Sequence, residues 1–253
     1  MTDTVKKPKA ITKRVLSPQF MGSYPHLIKA VPYQEGGVTK GDPRFTLSMV
    51  FNPEDLVKFR AENAAGELIE VDIKKLAVQL AKEQFPGLQD SNAFKAAFQK
   101  GDGSPAKGWP FVDGNKVAAY MESKGKEGAD RFKGKVVITA KTYEDSPPLL
   151  SYGVTENGRL TWKPLQRSSD VDMKKANELF QGGNIYGAEL SLRCAIVSDT
   201  YFITFYINSV RYLSAGEPFG RKSMMDRFDG VYGGSSPHDP TAGADNMDDE
   251  IPF

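Results

Sequence analysis

The sequence contains few of the residues on which covalent and metal chemistry depend. Its 253 residues include one cysteine, Cys194, and two histidines, His26 and His238. A single cysteine excludes an intramolecular disulfide, and so few soft ligands argue against a zinc or iron–sulfur site. We therefore expect neither a bound metal nor another cofactor.

Long apolar segments are missing as well. No run of about 18 apolar residues is present, which is the length that a membrane-spanning helix needs. The first residues, from Met1 to Arg14, are charged and lack the apolar core of a secretory signal. These two features predict a cytosolic protein.

The motifs of common enzyme classes are incomplete. The segment from Gly216 to Ser223 resembles a phosphate-binding loop, but its glycines are one residue too close and Arg221 intrudes before the lysine. The segment Asp170-Val171-Asp172 begins like a calcium loop and lacks its glycine at position six. Neither a nucleophile elbow nor a zinc-protease helix motif occurs. We therefore expect a protein without catalytic activity.

Basic residues are absent from the C-terminal end, so the net charge of +1 conceals a division. All 33 lysines and arginines lie at or before Arg227, and six acidic residues follow Phe228. Residues 1–228 thus carry a formal charge of +7 and residues 229–253 a charge of −6. This asymmetry predicts a body that meets a polyanion and a tail with a different role.

Composition divides the chain into three parts. Residues 1–19 are polar and basic, which predicts a flexible arm. Residues 229–253 are rich in Gly, Ser, Pro and Asp, and we expect them to be disordered because they cannot bury enough apolar surface to offset their ordering entropy. Residues 20–228 should form one mainly β domain with a helical insertion at about 53–100. Strands are predicted at 24–33, 44–51, 135–143, 149–152, 158–162, 188–197 and 201–213, and helices at 53–66, 70–85, 91–101 and 170–181.

The last two predicted strands differ in their two faces. They are joined by the short segment 198–200 and should form an antiparallel hairpin. In 201–213, one face is apolar and should belong to the core: Tyr201, Ile203, Phe205 and Ile207. The other face mixes rings with polar groups, as a base-stacking surface requires: Phe202, Thr204, Tyr206, Asn208 and Tyr212.

Aromatic side chains interleaved with lysine and arginine suit single-stranded nucleic acid, because every base has a π-face and every nucleotide a phosphate. The predicted stacking residues are Trp109, Phe111, Tyr143, Trp162, Tyr186, Phe202, Tyr206 and Tyr212. The predicted cationic contacts are Lys107, Lys133, Lys135, Lys141, Arg159, Lys163, Arg193 and Arg211. The competing interpretation assigns most of these rings to ordinary core packing.

The end of the chain carries a specific pattern. An exposed apolar group placed directly after three acidic residues is a compact handle for a pocket with a basic rim. The sequence Asp248-Asp249-Glu250-Ile251-Pro252-Phe253 resembles the C-terminal peptide of bacterial single-stranded DNA-binding proteins, which close with acids and Ile-Pro-Phe. The resemblance implies that these six residues bind replication and repair partners. The acidic tail is also able to compete weakly with DNA for basic groups.

The body is similar to a family of phage single-stranded DNA-binding proteins. The similarity lies in the segments 185–190, 207–210 and 216–220 and extends loosely over residues 20–222. It implies a five-stranded antiparallel barrel of the OB type with an acidic tail. The helices predicted between Asn52 and Lys100 exceed a minimal barrel and should be an insertion or a lid.

The leading hypothesis is sequence-independent binding of single-stranded DNA in phage replication, recombination and repair. The protein would act in the cytoplasm of the infected bacterium, and its tail would recruit partner proteins. Formation of a homo-oligomer is possible on this hypothesis. The main alternative is a structural or assembly protein of the phage, built as a β-sandwich with a partner-binding tail. A nuclease or recombination enzyme is a third, which would require a carboxylate cluster that the sequence does not reveal.

Overall fold

The computed structural model describes residues 11–35, 38–101, 105–156, 158–197 and 199–217. The predicted acidic tail and the first ten residues lie outside these ranges. Within them, no helix has the length and apolarity needed to cross a membrane. Strands dominate the described residues and form one continuous hydrogen-bonded sheet. Its strands are β1 (Thr12–Leu16), β2 (Phe20–Glu35), β3 (Val38–Phe51), β4 (Phe59–Glu62), β5 (Leu68–Val71), β6 (Phe111–Asp113), β7 (Val136–Tyr143), β8 (Leu149–Glu156), β9 (Arg159–Leu165), β10 (Ile185–Val197) and β11 (Thr200–Ser214).

Five of these strands close into a barrel. Following the hydrogen bonds, β2 pairs with β3, β3 with β7, β7 with β11, β11 with β10, and β10 returns to β2. Four of these pairings are antiparallel, and the pairing of β7 with β11 is parallel. Taken in chain order, the ring runs first, second, third, fifth, fourth strand, which is the OB arrangement. The predicted OB-type barrel is confirmed, with one parallel seam that the sequence did not indicate.

The barrel interior is filled by alternate residues of the long strands, because successive side chains point to opposite faces of a strand. Leu47 and Met49 of β3 are buried in one cluster with the apolar face of β11, and Phe45 of β3 is buried as well. On that strand Ile203, Phe205 and Ile207 are at most 3% exposed, so the predicted core face is confirmed there.

Part of the predicted N-terminal arm, residues 1–19, is a strand in the barrel sheet. Residues 12–16 form β1, which pairs with β10 and with β4. Val15 is buried in the core, and this contact fixes a segment whose basic composition had suggested a flexible arm.

The insertion between β3 and β7 begins differently from the prediction. The helix expected from Pro53 to Gly66 is a short 3-10 helix at Pro53–Val57, followed by the hairpin of β4 and β5. The Asn52 side chain does not cap the backbone and instead donates to Asp55. The strand forms because Phe59 and Ala61 alternate with exposed residues and pack into the core beside β1.

The helices of the insertion are set by side-chain caps. The first, α1 (Ile73–Gln84), is capped by the Asp72 carboxylate, which accepts bonds from two backbone N–H groups. Asp90 caps α2 (Ser91–Phe98) in the same way. A third helix, α3 (Gly114–Ser123), was not predicted, although its first residue follows the capping Asp113. Its apolar side chains cover the outer face of β3 and β7 at one end.

The segment between β7 and β10 adds a hairpin and a helix to the barrel. Strands β8 and β9 form the hairpin predicted around Gly158, and β8 pairs in parallel with β11. The helix α4 (Asp170–Leu179) agrees with the predicted one. Arg167 fixes this segment to the barrel, since its guanidinium donates to the carbonyls of Leu27, Ile28 and Pro148.

Candidate nucleic-acid interface

The outer face of the barrel gathers several of the predicted contacts across strands that are distant in sequence. Arg44 of β3 lies opposite Tyr143 of β7. Lys141, two residues before Tyr143, lies beside Tyr206 of β11 in the parallel seam. Arg193 reaches the same face from β10. We call these five residues, Arg44, Lys141, Tyr143, Arg193 and Tyr206, the aromatic–arginine face.

Within this face each ring is paired with a cation. The Arg44 guanidinium lies 5.2 Å from the centre of the Tyr143 ring, and that of Arg193 lies 5.0 Å from the Tyr206 ring. The two rings are themselves neighbours, with centroids 6.1 Å apart and planes tilted by 37°. Tyr143 is 44% exposed. The guanidinium groups and rings are therefore already positioned beside one another. Binding a ligand here does not have to meet the entropy cost of ordering these side chains.

Lys141 is the central cation of the face. It is half-buried, and burial lowers the pKa of its ammonium, with the positive charge of Arg44 acting in the same direction. Within the described part of the chain, no carboxylate forms an ion pair with it. A half-buried cation beside a second cation favours an incoming anion, which offsets the cost of its desolvation.

Tyr206 is also partly withdrawn from water. Burial raises the pKa of its hydroxyl, and a hydrogen bond with Tyr143 raises it further. The neutral phenol therefore persists at physiological pH, and the ring presents its π-face beside Arg193 without a competing negative charge.

A bulge in β11 changes the face on which the following residues lie. Ile207 pairs with Leu190 and Ser209 with Glu189, so that Asn208 is an extra residue in β11. Beyond a bulge the alternation of side chains shifts by one. Val210 and Tyr212 consequently lie on the core side, and Arg211 comes to the outer face.

This bulge corrects the prediction for Tyr212. The sequence placed it on the same face as Tyr206, but its ring is packed against the core and lies edge-on to Tyr186, with centroids 6.4 Å apart. Arg211 on the outer face contacts Trp162 of β9, its guanidinium 4.9 Å from the indole centre. The bulge is fixed by the Asn208 amide, which bonds to Ser191 Oγ and to the Glu189 carboxylate.

Two further predicted stacking residues belong to the core. Tyr186 is fully buried, stacked on Phe180 at 5.6 Å, with its hydroxyl bonded to the carbonyls of Leu179 and Gln181. Phe111 is 4% exposed. Their rings have no face open to a base, which corrects the prediction that they stack.

Trp109 is half-buried away from the aromatic–arginine face, whereas Phe202 is half-buried on the same side of β11 as Tyr206, four residues before it. Trp109 packs edge-on to Phe94 and beside Phe98. It forms one wall of a shallow cleft of about 520 Å³ along the exposed side of α1. Lys107, exposed, precedes it in the same loop. The loop is docked on β11, because Ile203 donates to the Gly108 carbonyl.

The remaining predicted cations divide into two groups. Lys133 is paired with Glu122 and Asp130, both within 2.8 Å, and Lys135 bonds to the Asn52 side chain. Lys133 is thus paired with surface carboxylates near α3, and Lys135 is held by a neutral amide. Arg159 and Lys163 are exposed on β9, in the same hairpin as Trp162.

The sequence reasoning missed Arg44. Its signal was the alternation of β3, in which Phe45, Leu47 and Met49 face the core and therefore turn residue 44 outwards. The alternation of apolar residues does not give the pairing register between β3 and β7, and it is this register that places Arg44 opposite Tyr143.

Acidic groups mark the limits of the face. Glu144 and Asp145 follow Tyr143 in an exposed turn, so the positive potential falls off at that end. Glu189 on β10 is 3.8 Å from Arg14, which offsets part of its charge. The described residues contain no cluster of three or more His, Cys, Asp or Glu side chains arranged to hold a metal ion.

Comparison with known proteins gives no family model that matches the chain and no matching curated protein. Similar solved structures exist. The single-stranded DNA-binding protein from bacteriophage Enc34, in complex with single-stranded DNA, is 18% identical with a TM-score of 0.46, covering 82% of this chain and 89% of that chain. The gp2.5 single-stranded DNA-binding protein of bacteriophage T7 is 11% identical with a TM-score of 0.43, covering 90% and 100%. Both of these solved structures are of phage single-stranded DNA-binding proteins.

Proposed function

We propose that this protein binds single-stranded DNA without sequence preference through the aromatic–arginine face. The observation that carries the proposal is the pairing of the Tyr143 and Tyr206 rings with guanidinium groups around Lys141, with which no carboxylate of the described residues forms an ion pair. A base that replaces the guanidinium over a ring leaves the arginine free to pair with the adjoining phosphate. Stacking contributes about 1–3 kcal/mol per base whichever base is present.

The geometry favours single strands over duplex. The rings of Tyr143 and Tyr206 lie on a pleated sheet surface and are partly sunk among neighbouring side chains. Bases in a duplex are stacked on one another and offer no free π-face to such a surface. Only unpaired bases can turn towards it, while their phosphates meet Arg44, Lys141 and Arg193.

We further propose that the protein serves phage DNA replication, recombination and repair in the cytoplasm of the infected bacterium. In this role it protects and presents single strands, and it needs no catalytic residue or cofactor. Residues 248–253 recruit partner proteins, since their acids and Ile-Pro-Phe suit a pocket with a basic rim.

Fluorescence anisotropy with labelled oligo-dT, with and without competing duplex, tests the proposal. We expect binding that weakens with salt and resists duplex of equal length. Tyr206→Ala should weaken it about 5- to 150-fold, the equivalent of one lost stacking contact. Tyr120→Ala is the matched control, because Lys124 lies 5.9 Å from the Tyr120 ring in the same kind of pair on α3. Absence of binding at low salt would refute the proposal and favour a structural phage protein.

A further inference from the structure

The hairpin of β8 and β9 lies outside the five-stranded ring and carries an exposed surface of its own. The hairpin lies at one end of the sheet and contacts the barrel through β11. Leu160 is 57% exposed, with Trp162 half-buried two residues along the same strand, and Leu149 at the start of β8 is 75% exposed. Apolar groups clustered with an aromatic ring on a protein surface mark a binding surface more often than isolated ones do.

The local structure keeps the indole close to the strand. Trp162 lies opposite Gly153 of β8. A side chain at Gly153 would be in contact with Trp162 and would come within 2.8 Å of Leu160 Cδ1. The glycine therefore leaves room for both side chains over β8, where Arg211 covers the indole.

Trp162 and Arg211 repeat the chemistry of the aromatic–arginine face. Each of the three pairs consists of one ring and one guanidinium, at 4.9–5.2 Å. The third pair is on the same outer side only because the Asn208 bulge turns Arg211 outwards. Trp162 pairs with Gly153 of β8, which is level with residue 213 of β11, so seven positions of β11 and two strand spacings separate Trp162 from Tyr206, a distance of roughly 20–25 Å.

We propose that Trp162 and Arg211 form a second stacking subsite for the same single strand, so that the bound strand leaves the barrel and continues over the β8–β9 hairpin. This inference rests on the proposed function, since it extends the same interface. Arg159 and Lys163 are exposed on the opposite face of β9 from Trp162, because side chains alternate along a strand, so they add positive charge only at longer range. The footprint is then longer than the aromatic–arginine face alone provides.

A length series of oligo-dT from about 4 to about 16 nucleotides separates the two subsites. Wild-type protein should gain affinity once the strand is long enough to reach the hairpin. Trp162→Ala should lose about 5- to 150-fold on the longest strand and nothing on the shortest. Tyr206→Ala should weaken binding at every length, and Tyr120→Ala at none.

Tryptophan fluorescence gives a second test that does not depend on truncating the Trp162 side chain. The protein has two tryptophans, so Trp109→Phe leaves Trp162 as the sole one. Its fluorescence should be quenched by long oligo-dT and remain unchanged with short oligo-dT. Arg211→Gln, which keeps the indole, should also lower affinity for the long strand alone.

Two outcomes would overturn the inference. Equal effects of Trp162→Ala at all lengths, or no effect at any length with an unquenched indole, would show that the hairpin is not a subsite. In both cases wild-type binding to oligo-dT persists, and the proposed function stands. Loss of all wild-type binding would instead refute the proposed function and the second subsite with it.

Discussion

The salt dependence of binding can be predicted from the cations on the outer face. Arg44, Lys141, Arg193 and Arg211 are each placed to neutralise one phosphate. Each neutralised phosphate of a single strand contributes about 0.7 to the slope of log affinity against log salt. Four contacts give a slope of about −2.8, so affinity should fall about 50-fold between about 50 and about 200 mM salt.

Replacement of Lys141 by glutamine is the most informative change. It should reduce the slope by about 0.7, and the loss of affinity should exceed that for an exposed lysine, because no carboxylate among the described residues pairs with the half-buried ammonium. Arg60→Ala is the matched control, since Arg60 is exposed on β4 opposite Glu70 and away from the face. Fluorescence anisotropy at five or more salt concentrations would give both slopes. An unchanged slope for Lys141→Gln would refute the assignment of a phosphate to this lysine.

The same lysine predicts a dependence on pH. Burial lowers its pKa below the ordinary 10.5, and phosphate binding favours the charged form. Affinity should therefore be complete below the lowered pKa and should decline as pH rises through it. Lys141→Arg keeps its charge in this range and should retain affinity at alkaline pH. Identical pH profiles for wild type and Lys141→Arg would contradict the explanation.

Three further predictions concern stability, charge and the tail. Arg167→Ala should destabilise the fold by about 2–4 kcal/mol, because three carbonyls lose a charged donor, and should lower Tm by about 5–10 °C in a thermal melt; a Tm like that of Arg60→Ala would contradict this. Glu144→Gln with Asp145→Asn should raise oligo-dT affinity about two- to fivefold at low salt, with the gain vanishing at high salt. A gain that persists at high salt would show a non-electrostatic cause. Removal of residues 245–253 should leave or raise DNA affinity in anisotropy while abolishing capture of partner proteins, and lost DNA affinity would contradict that division of roles.

Much of the fold follows from the sequence because strand alternation and turn residues are local signals. The β10–β11 hairpin, the β8–β9 hairpin at Gly158 and the apolar face of β11 were all predicted from them. The parallel seam between β7 and β11 was not, since it joins Ala140 and Lys141 to residues more than sixty positions later. Pairings at that distance are decided by the closure of the barrel.

The sequence predicted the kind of site, a surface of aromatic rings and cations, but only some of the residues that form it. Alternation placed Tyr206 on an outer face but failed for Tyr212, because one extra residue at Asn208 reverses the faces and leaves no mark in composition. Tyr186 was predicted to stack on bases, yet Gly22 of the neighbouring strand β2 provides the space that its ring fills: a Cβ at Gly22 would lie 2.3 Å from the ring. Both errors come from packing across strands.

The closure of the ring through β2 and β10 sets an order of events during synthesis. Residues 20 and 21 meet their β10 partners only when residues 185 and 186 have been made, and β1, which pairs early with β4, likewise meets β10 only after residues 189–193. Until then the ribosome-bound chain displays strand edges and unburied apolar side chains that are competent to pair with another chain. Contacts so distant in sequence also slow folding, since a long loop must be ordered before they form. We therefore expect a nascent chain of this protein that ends before β10 to depend on chaperones, whereas one that extends past residue 214 completes its barrel in a single step.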